Sequence, residues 1–233
     1  MTNSAEKAIF LAAGFGSRMV PITINTPKPL VRVNGKRIID TLIDACLSIG
    51  IKDIYIVRGY LGEQFDQLLY KYPIIKFIDN PMFDKANNIS SAYLAKDLLC
   101  NSYVFEADLL LSNPSILKKQ HNQSSFLAIK KERTDDWCFE VENGTITKEK
   151  VGGTNCWQMV GISYWSEEDG RQLAKDIEEV YNRPDGKNCY WEQVPLEFCK
   201  SHYKVAAEEC FDEDIVEIDT FEELKAIDSI YDV

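Results

Sequence analysis

Between residues 7 and 108 the sequence repeats one alternation, and that alternation limits the folds open to it. Lys7-Ala-Ile-Phe-Leu-Ala12 is a short apolar run cut off by Gly14 and Gly16, the pattern of a buried strand entering a tight loop. Residues 36–49 then place apolar side chains at 38, 39, 42, 43, 46 and 47, a helical stripe, with Gly50 where a helix C-cap belongs. Asp53-Ile-Tyr-Ile-Val-Arg-Gly59 predicts a second buried strand, 62–71 a helix ending before Pro73, and Ile74-Ile-Lys-Phe-Ile-Asp79 a third strand. A helix over 88–99, with Asn87 or Asn88 as N-cap, leads to a fourth strand in Ser102-Tyr-Val-Phe-Glu-Ala-Asp108. The order β-α-β-α-β-α-β predicts an α/β fold: a Rossmann-like, mixed but mostly parallel sheet with right-handed crossovers, flanked by helices.

After residue 124 the texture changes. Phe126 to Lys131, Trp137 to Glu142, Thr145 to Lys150 and Gln158 to Trp165 read as short strands broken at Asn143-Gly144 and Gly152-Gly153, a small antiparallel extension of the sheet. Helices over 167–182 and 190–200, a strand near Ile215-Val-Glu-Ile-Asp219 and a last helix from residue 220 onward follow. No repeat, low-complexity tract or linker interrupts the pattern, so one domain over 1–233 is expected, large enough to need no disulfide staples.

Charge narrows the partners. Lys and Arg number 26 against 37 Asp and Glu, a net −11 that works against nucleic acid or an anionic membrane while allowing a local basic pocket. Seven cysteines (46, 100, 138, 156, 189, 199 and 210) contain no Cys-x-x-Cys pair, which predicts reduced thiols in a cytoplasmic protein. The apolar run Ala8 to Phe15 is too short to span a membrane, and Glu6 and Arg18 around it do not suit a signal peptide.

Gly14 and Gly16 follow the first strand directly, where backbone amides can cradle phosphate. Two glycines suit any tight strand-to-helix turn, and neither a Walker Gly-Lys-Ser/Thr nor a third dinucleotide-loop glycine is present, since Met19 stands there. The cations carry more weight. Arg18 and Lys28 flank one loop, Lys28 inside the stiff Thr26-Pro27-Lys28-Pro29-Leu30, and two fixed cations beside a glycine loop suit a triphosphate. Asp108 and Asp219 each end an apolar strand. Either alone is equally a turn or cap residue, but together they can hold Mg²⁺ along with phosphate oxygens and water. His121 and His202 lie in polar, surface-like stretches and read as bystanders.

Leu11-Ala-Ala-Gly-Phe-Gly-Ser-Arg-Met19 followed by Pro27-Lys28-Pro29-Leu30 resembles the pattern of the sugar-nucleotide and choline-phosphate nucleotidyltransferases. The resemblance implies a nucleotide-binding part over about 1–124 and an acceptor-binding part over about 125–233. It implies that Leu11, Ala12, Ala13, Gly14, Gly16, Ser17 and Gly59 hold the nucleotide, that Arg18 and Lys28 are catalytic, and that Asp108 and Asp219 bind Mg²⁺. An acceptor oxygen already ionised at neutral pH attacks the α-phosphorus and pyrophosphate leaves, so no general base is required.

Ala86 to Leu94, with Asn88, Ser90 and Ser91 at a helix start, is similar to the choline-type relatives rather than the Gln- and Gly-rich sugar-nucleotide segment, which implies CTP. Asp135-Asp136-Trp137, Val160 to Trp165 and Tyr190 to Pro195 are also similar to choline-type segments. They imply that Trp137, Tyr164, Tyr190, Trp191 and Glu192 surround a quaternary ammonium through cation–π attraction. Two departures bear on the acceptor. Asp135-Asp136 replaces Asn-Glu, and Glu192 stands where these relatives usually carry Asp, a longer arm that either changes how tightly the cationic head is held or selects a smaller ammonium. The implied activity is transfer of CMP from CTP to phosphocholine, giving CDP-choline. The same chemistry on 2-aminoethylphosphonate or phosphoethanolamine is the nearest alternative, then a sugar-1-phosphate enzyme, then a catalytically silent nucleotide-binding module. A homodimer and a fusion to a kinase domain are the assemblies the resemblance brings with it.

Overall fold

The computed structural model describes residues 3–232, so both ends of the expected 1–233 span lie outside the described residues. A seven-stranded sheet organises them. Its parallel half consists of β1 (Lys7–Ala12), β2 (Asp53–Arg58), β3 (Ile75–Asp79) and β4 (Ser102–Glu106), in the order β4-β1-β2-β3. Phe10 lies in register with Ile56 on one side and Phe105 on the other, and all three are fully buried. Such strands read as continuous apolar runs because both faces of the sheet are covered.

Successive residues point to opposite faces and so enter different cores. Phe10, Ile54 and Phe105 pack with Ile39, Leu42 and Cys46 of α1 (Ile38–Ser48). Ile9, Val57 and Val104 pack on the other face with α2 (Ile89–Ala95) and α3 (Glu167–Tyr181). Gly50, at φ +80°, closes α1 and donates its N–H to the Leu47 carbonyl, as a left-handed helix terminus does.

The second half departs from the expected series of short strands. After a short β5 (Leu109–Leu111), β6 (Ser125–Glu142) and β7 (Thr145–Trp165) form one long antiparallel hairpin. Asn143-Gly144 is its turn, both residues at positive φ, as a two-residue hairpin loop requires. Gly152-Gly153 does not break β7. Arg133 still pairs with Thr154 and Thr134 with Gly153, and the irregularity is taken up as a bulge between Thr134 and Trp137. β7 runs antiparallel to β4 and joins the two halves of the sheet, while β8 (Ala206–Glu209) lies parallel to β6.

Two expected helices change form. Residues Gly62–Tyr70 wind as 3-10 turns, and the expected helix over 190–200 is reduced to a π-type turn at Val194–Phe198 and a 3-10 turn at Lys200–His202. Pro195 explains the second case, since it offers no N–H and crowds the preceding turn. β9 (Ile215–Glu217) pairs antiparallel with β5 and carries the chain into α4 (Phe221–Ile227), whose start is closed by a Thr220–Glu223 capping box. No described helix is long and apolar enough to cross a membrane.

Candidate active site

A crevice of about 710 Å³ opens where the carboxyl ends of β1 and β4 meet the end of β9. This is where open α/β sheets bind ligands. The glycine loop forms one wall, with Leu11, Ala12, Ala13, Gly14, Gly16 and Ser17 all lining it. Gly16 sits at φ +62°, and a Cβ there would come within 3.0 Å of the Lys28 Cβ and 3.2 Å of the Thr23 methyl. Both the backbone conformation and the close approach of Lys28 therefore call for glycine.

Lys28 is buried on the crevice floor, and its Nζ donates to Asp108 Oδ2 at 2.8 Å and to Asp219 Oδ1 at 2.7 Å. Arg18, largely exposed, reaches Asp219 at 2.9 Å. Burial alone would lower the Lys28 ammonium, but the adjoining Asp108 and Asp219 carboxylates hold it above its ordinary value, so it remains charged. The four residues singled out as cations and metal carboxylates thus form one continuous ion-pair cluster.

A set of carboxylates that shares Asp108 with this cluster fits a divalent cation. Asp108 Oδ1 is buried with no hydrogen-bond partner, and Glu106, Asp108 and Glu217 each bring a carboxylate oxygen within 4.8 Å of the others. Burial, helped by the charges of Asp108 and Asp219, pushes Glu217 up to about 8. An all-carboxylate set with one unpaired oxygen is what a hard divalent ion takes. Glu106 and Glu217 were not singled out from sequence. The available signal was spacing: Glu106–Asp108 and Glu217–Asp219 are i, i+2 pairs at strand ends, which place both carboxylates on one face.

Asn88, Ser90 and Ser91 also line the crevice. Asn80, at the carboxyl end of β3, donates its amide to both serine hydroxyls, at 2.9 Å to Ser90 and 3.0 Å to Ser91. Ser90 donates its own O–H to the Asn87 carbonyl at 2.8 Å. Asn88 occupies the N-cap position of α2 without capping it. Its Oδ1 instead accepts from the Trp191 backbone N–H at 2.8 Å, and its Nδ2 donates to the Glu192 side chain at 3.2 Å. Gly59 does not line the crevice. It lies beneath Phe83, where a side chain would strike the ring, so its part is to let Phe83 reach the wall.

At the far end of the crevice Trp137 and Tyr190 stand edge to face, with ring centroids 5.6 Å apart, beside Asp135, Asp136, Glu106 and the buried Glu192. Burial and the neighbouring Glu192 push Glu106 well above the usual carboxylate range, and burial raises Glu192 as well. Two of the expected acceptor residues lie elsewhere. Tyr164, 1% exposed, stacks on His121 at 3.7 Å. Trp191, 3% exposed, packs in the core between Phe126 and Trp165. Each is an aromatic on a sheet or turn that turns inward, where its area buries more apolar surface than a crevice wall offers. His121 is also not at the surface. It is buried, 2.9 Å from the Tyr103 hydroxyl, and takes no part in the crevice.

Residues 7–145 match the family model described as Nucleotidyl transferase. The chain is 36% identical to the 2-aminoethylphosphonate cytidylyltransferase of Lancefieldella rimae, over 98% of this chain and 95% of that protein. It is 32% identical to the choline-phosphate cytidylyltransferase of Streptococcus pneumoniae, over 96% of this chain and 97% of the other. The solved structure of the Streptococcus pneumoniae CTP:phosphocholine cytidylyltransferase superposes with a TM-score of 0.88 at 30% identity, covering 97% of this chain and 99% of that one. With its glycine loop, cation pair and strand-end carboxylates gathered in one crevice, this chain belongs to the nucleotidyl transferase family.

Proposed function

We propose that the chain is a cytidylyltransferase that transfers CMP from CTP to 2-aminoethylphosphonate. The observation that carries the choice of acceptor is the lining around Trp137 and Tyr190: two aromatic rings, the exposed carboxylates Asp135 and Asp136, and two acids raised by burial, Glu106 and Glu192, that a bound ammonium would hold ionised, with Tyr164 and Trp191 absent from it. A primary ammonium forms directional charge-assisted hydrogen bonds with carboxylates, whereas a quaternary ammonium has no N–H to give and depends on rings. The likeness to the Lancefieldella rimae enzyme supports the same choice. Phosphocholine is the second reading, favoured by the Trp137–Tyr190 pair and by the Streptococcus pneumoniae relatives.

In the proposed reaction the nucleotide part, about 1–124, holds CTP and the remainder presents the acceptor. Amides of the glycine loop take the phosphates, and Lys28 and Arg18 neutralise them. Ser91 accepts from Asn80 and keeps its own O–H for an acceptor atom on the base, such as cytosine O2 or N3. A phosphonate oxygen attacks the α-phosphorus, a new P–O bond forms, and the bond to the β-phosphate breaks to release pyrophosphate. Asp108 and Glu217, with Glu106 or Asp219 beside them, would hold Mg²⁺, which when bound supplies further charge neutralisation for the phosphates. Pyrophosphate release measured with CTP and each of 2-aminoethylphosphonate, phosphoethanolamine, phosphocholine and glucose 1-phosphate tests the proposal. The highest kcat/KM is expected with 2-aminoethylphosphonate.

A further inference from the structure

Asp176, Cys199 and His202 converge outside the crevice. Asp176 projects from α3, and Cys199 and His202 come from the two turns after Pro195 at Cys-x-x-His spacing. One ligand atom of each lies within 4.8 Å of those of the other two, and His202 Nδ1 stands 2.8 Å from Asp176 Oδ2. Asp176 and Cys199 are 2% and 6% exposed, while the His202 side chain is 46% exposed, so an ion would enter from solvent on the imidazole side.

We propose that Asp176, Cys199 and His202 bind one Zn²⁺ ion, with water as the fourth ligand. Thiolate, imidazole and carboxylate together are a zinc set, unlike the all-oxygen group of the crevice. Hydrogen bonding alone accounts for Asp176, which accepts from the Tyr203 hydroxyl, from Gln172 at 3.0 Å and from His202. Cys199 takes no hydrogen bond in that network; it packs in the core cluster with Val194, Leu196 and Val205, with its Sγ within 4.8 Å of ligand atoms of Asp176 and His202. On binding, the Cys199 thiol proton goes to solvent. His202 Nδ1 turns from Asp176 to the metal, with the ring proton on Nε2. Tyr203 and Gln172 stay on Asp176 and orient it. The ion would fasten the 194–202 turns to α3, just downstream of Tyr190 and Glu192 in the crevice wall.

Chelator-stripped protein titrated with Co²⁺ in excess Mg²⁺ tests this without reference to catalysis. One Co²⁺ per chain is expected, with a thiolate-to-cobalt charge-transfer band that added Zn²⁺ abolishes. Cys199→Ser should lose the band, and His202→Gln, a change at an exposed side chain, should bind roughly tenfold more weakly or worse. No band in the native protein, an undiminished band in Cys199→Ser, or native affinity in His202→Gln would each overturn the assignment.

Discussion

Lys28 is the residue on which the crevice is built. It is buried, yet it stays charged because two carboxylates share it, and one of them, Asp108, also belongs to the carboxylate group that fits a divalent cation. In the proposed reaction Lys28→Ala removes a fixed cation facing the phosphates, leaves Asp108 without its cationic partner and leaves Asp219 with Arg18 alone. Steady-state kinetics should show kcat reduced about 10²–10³-fold, the usual effect of losing one preorganised electrostatic contact. A drop confined to KM would mean that Lys28 only binds. Glu149 offers a test by pH. Burial, then the charges of Glu192 and Glu197, raises it from 4.5 to about 8, and its Oε2 has no partner. A carboxyl raised on folding favours the native state below its unfolded value and loses that benefit as pH climbs through the folded one. Glu149→Gln should therefore match the native protein in Tm near pH 4.5 and exceed it increasingly towards pH 8; a pH-independent difference contradicts this. At this scale the sequence showed Arg18, Lys28, Asp108 and Asp219 through motif and strand position. Glu106 and Glu217 escaped because their strand-end pairing matters only once β5 and β9 bring the two ends together.

Among the elements, the four parallel strands were legible because each is an apolar run with a glycine, proline or asparagine boundary. The hairpin was not. Gly152-Gly153 has the composition of a turn, but cross-strand pairing through Thr134 and Arg133 carries β7 past it. The helix expected over 190–200 gives way to turns around Pro195, and Trp191 enters the core while Tyr190 and Glu192 line the crevice. The structure separates the two tryptophans by role. Trp191→Ala opens a cavity in the core and should cost about 3–5 kcal/mol of unfolding free energy in denaturant titration. Trp137→Ala leaves the fold intact and should raise the acceptor KM by roughly 2- to 30-fold, the equivalent of one cation–π contact of about 0.5–2 kcal/mol. An unchanged acceptor KM would remove Trp137 from the acceptor site.

At the scale of the molecule, a parallel half and an antiparallel half share one sheet through the β4–β7 pairing. The chain returns through β9 to set Asp219 against Lys28, so residues nearly two hundred positions apart complete one site. Asn88 ties the halves on the crevice side, linking the start of α2 to Trp191 and Glu192. Asn88→Ala should therefore weaken both CTP and acceptor kcat/KM, whereas a change in one alone would show that the link is not structural. Sequence reading reached the fold class and the residues that gather around Lys28: the glycine loop, Arg18, Asp108 and Asp219. Which aromatics line the crevice depended on which side chains turn inward, and that is decided by packing across the hairpin. The most direct measurement is pyrophosphate release from CTP with the native protein and Mg²⁺ across the acceptor panel. A kcat/KM for 2-aminoethylphosphonate above those for phosphocholine and phosphoethanolamine, with glucose 1-phosphate inert, is the predicted result. Preference for phosphocholine, or no release with any of the amino acceptors, would contradict it.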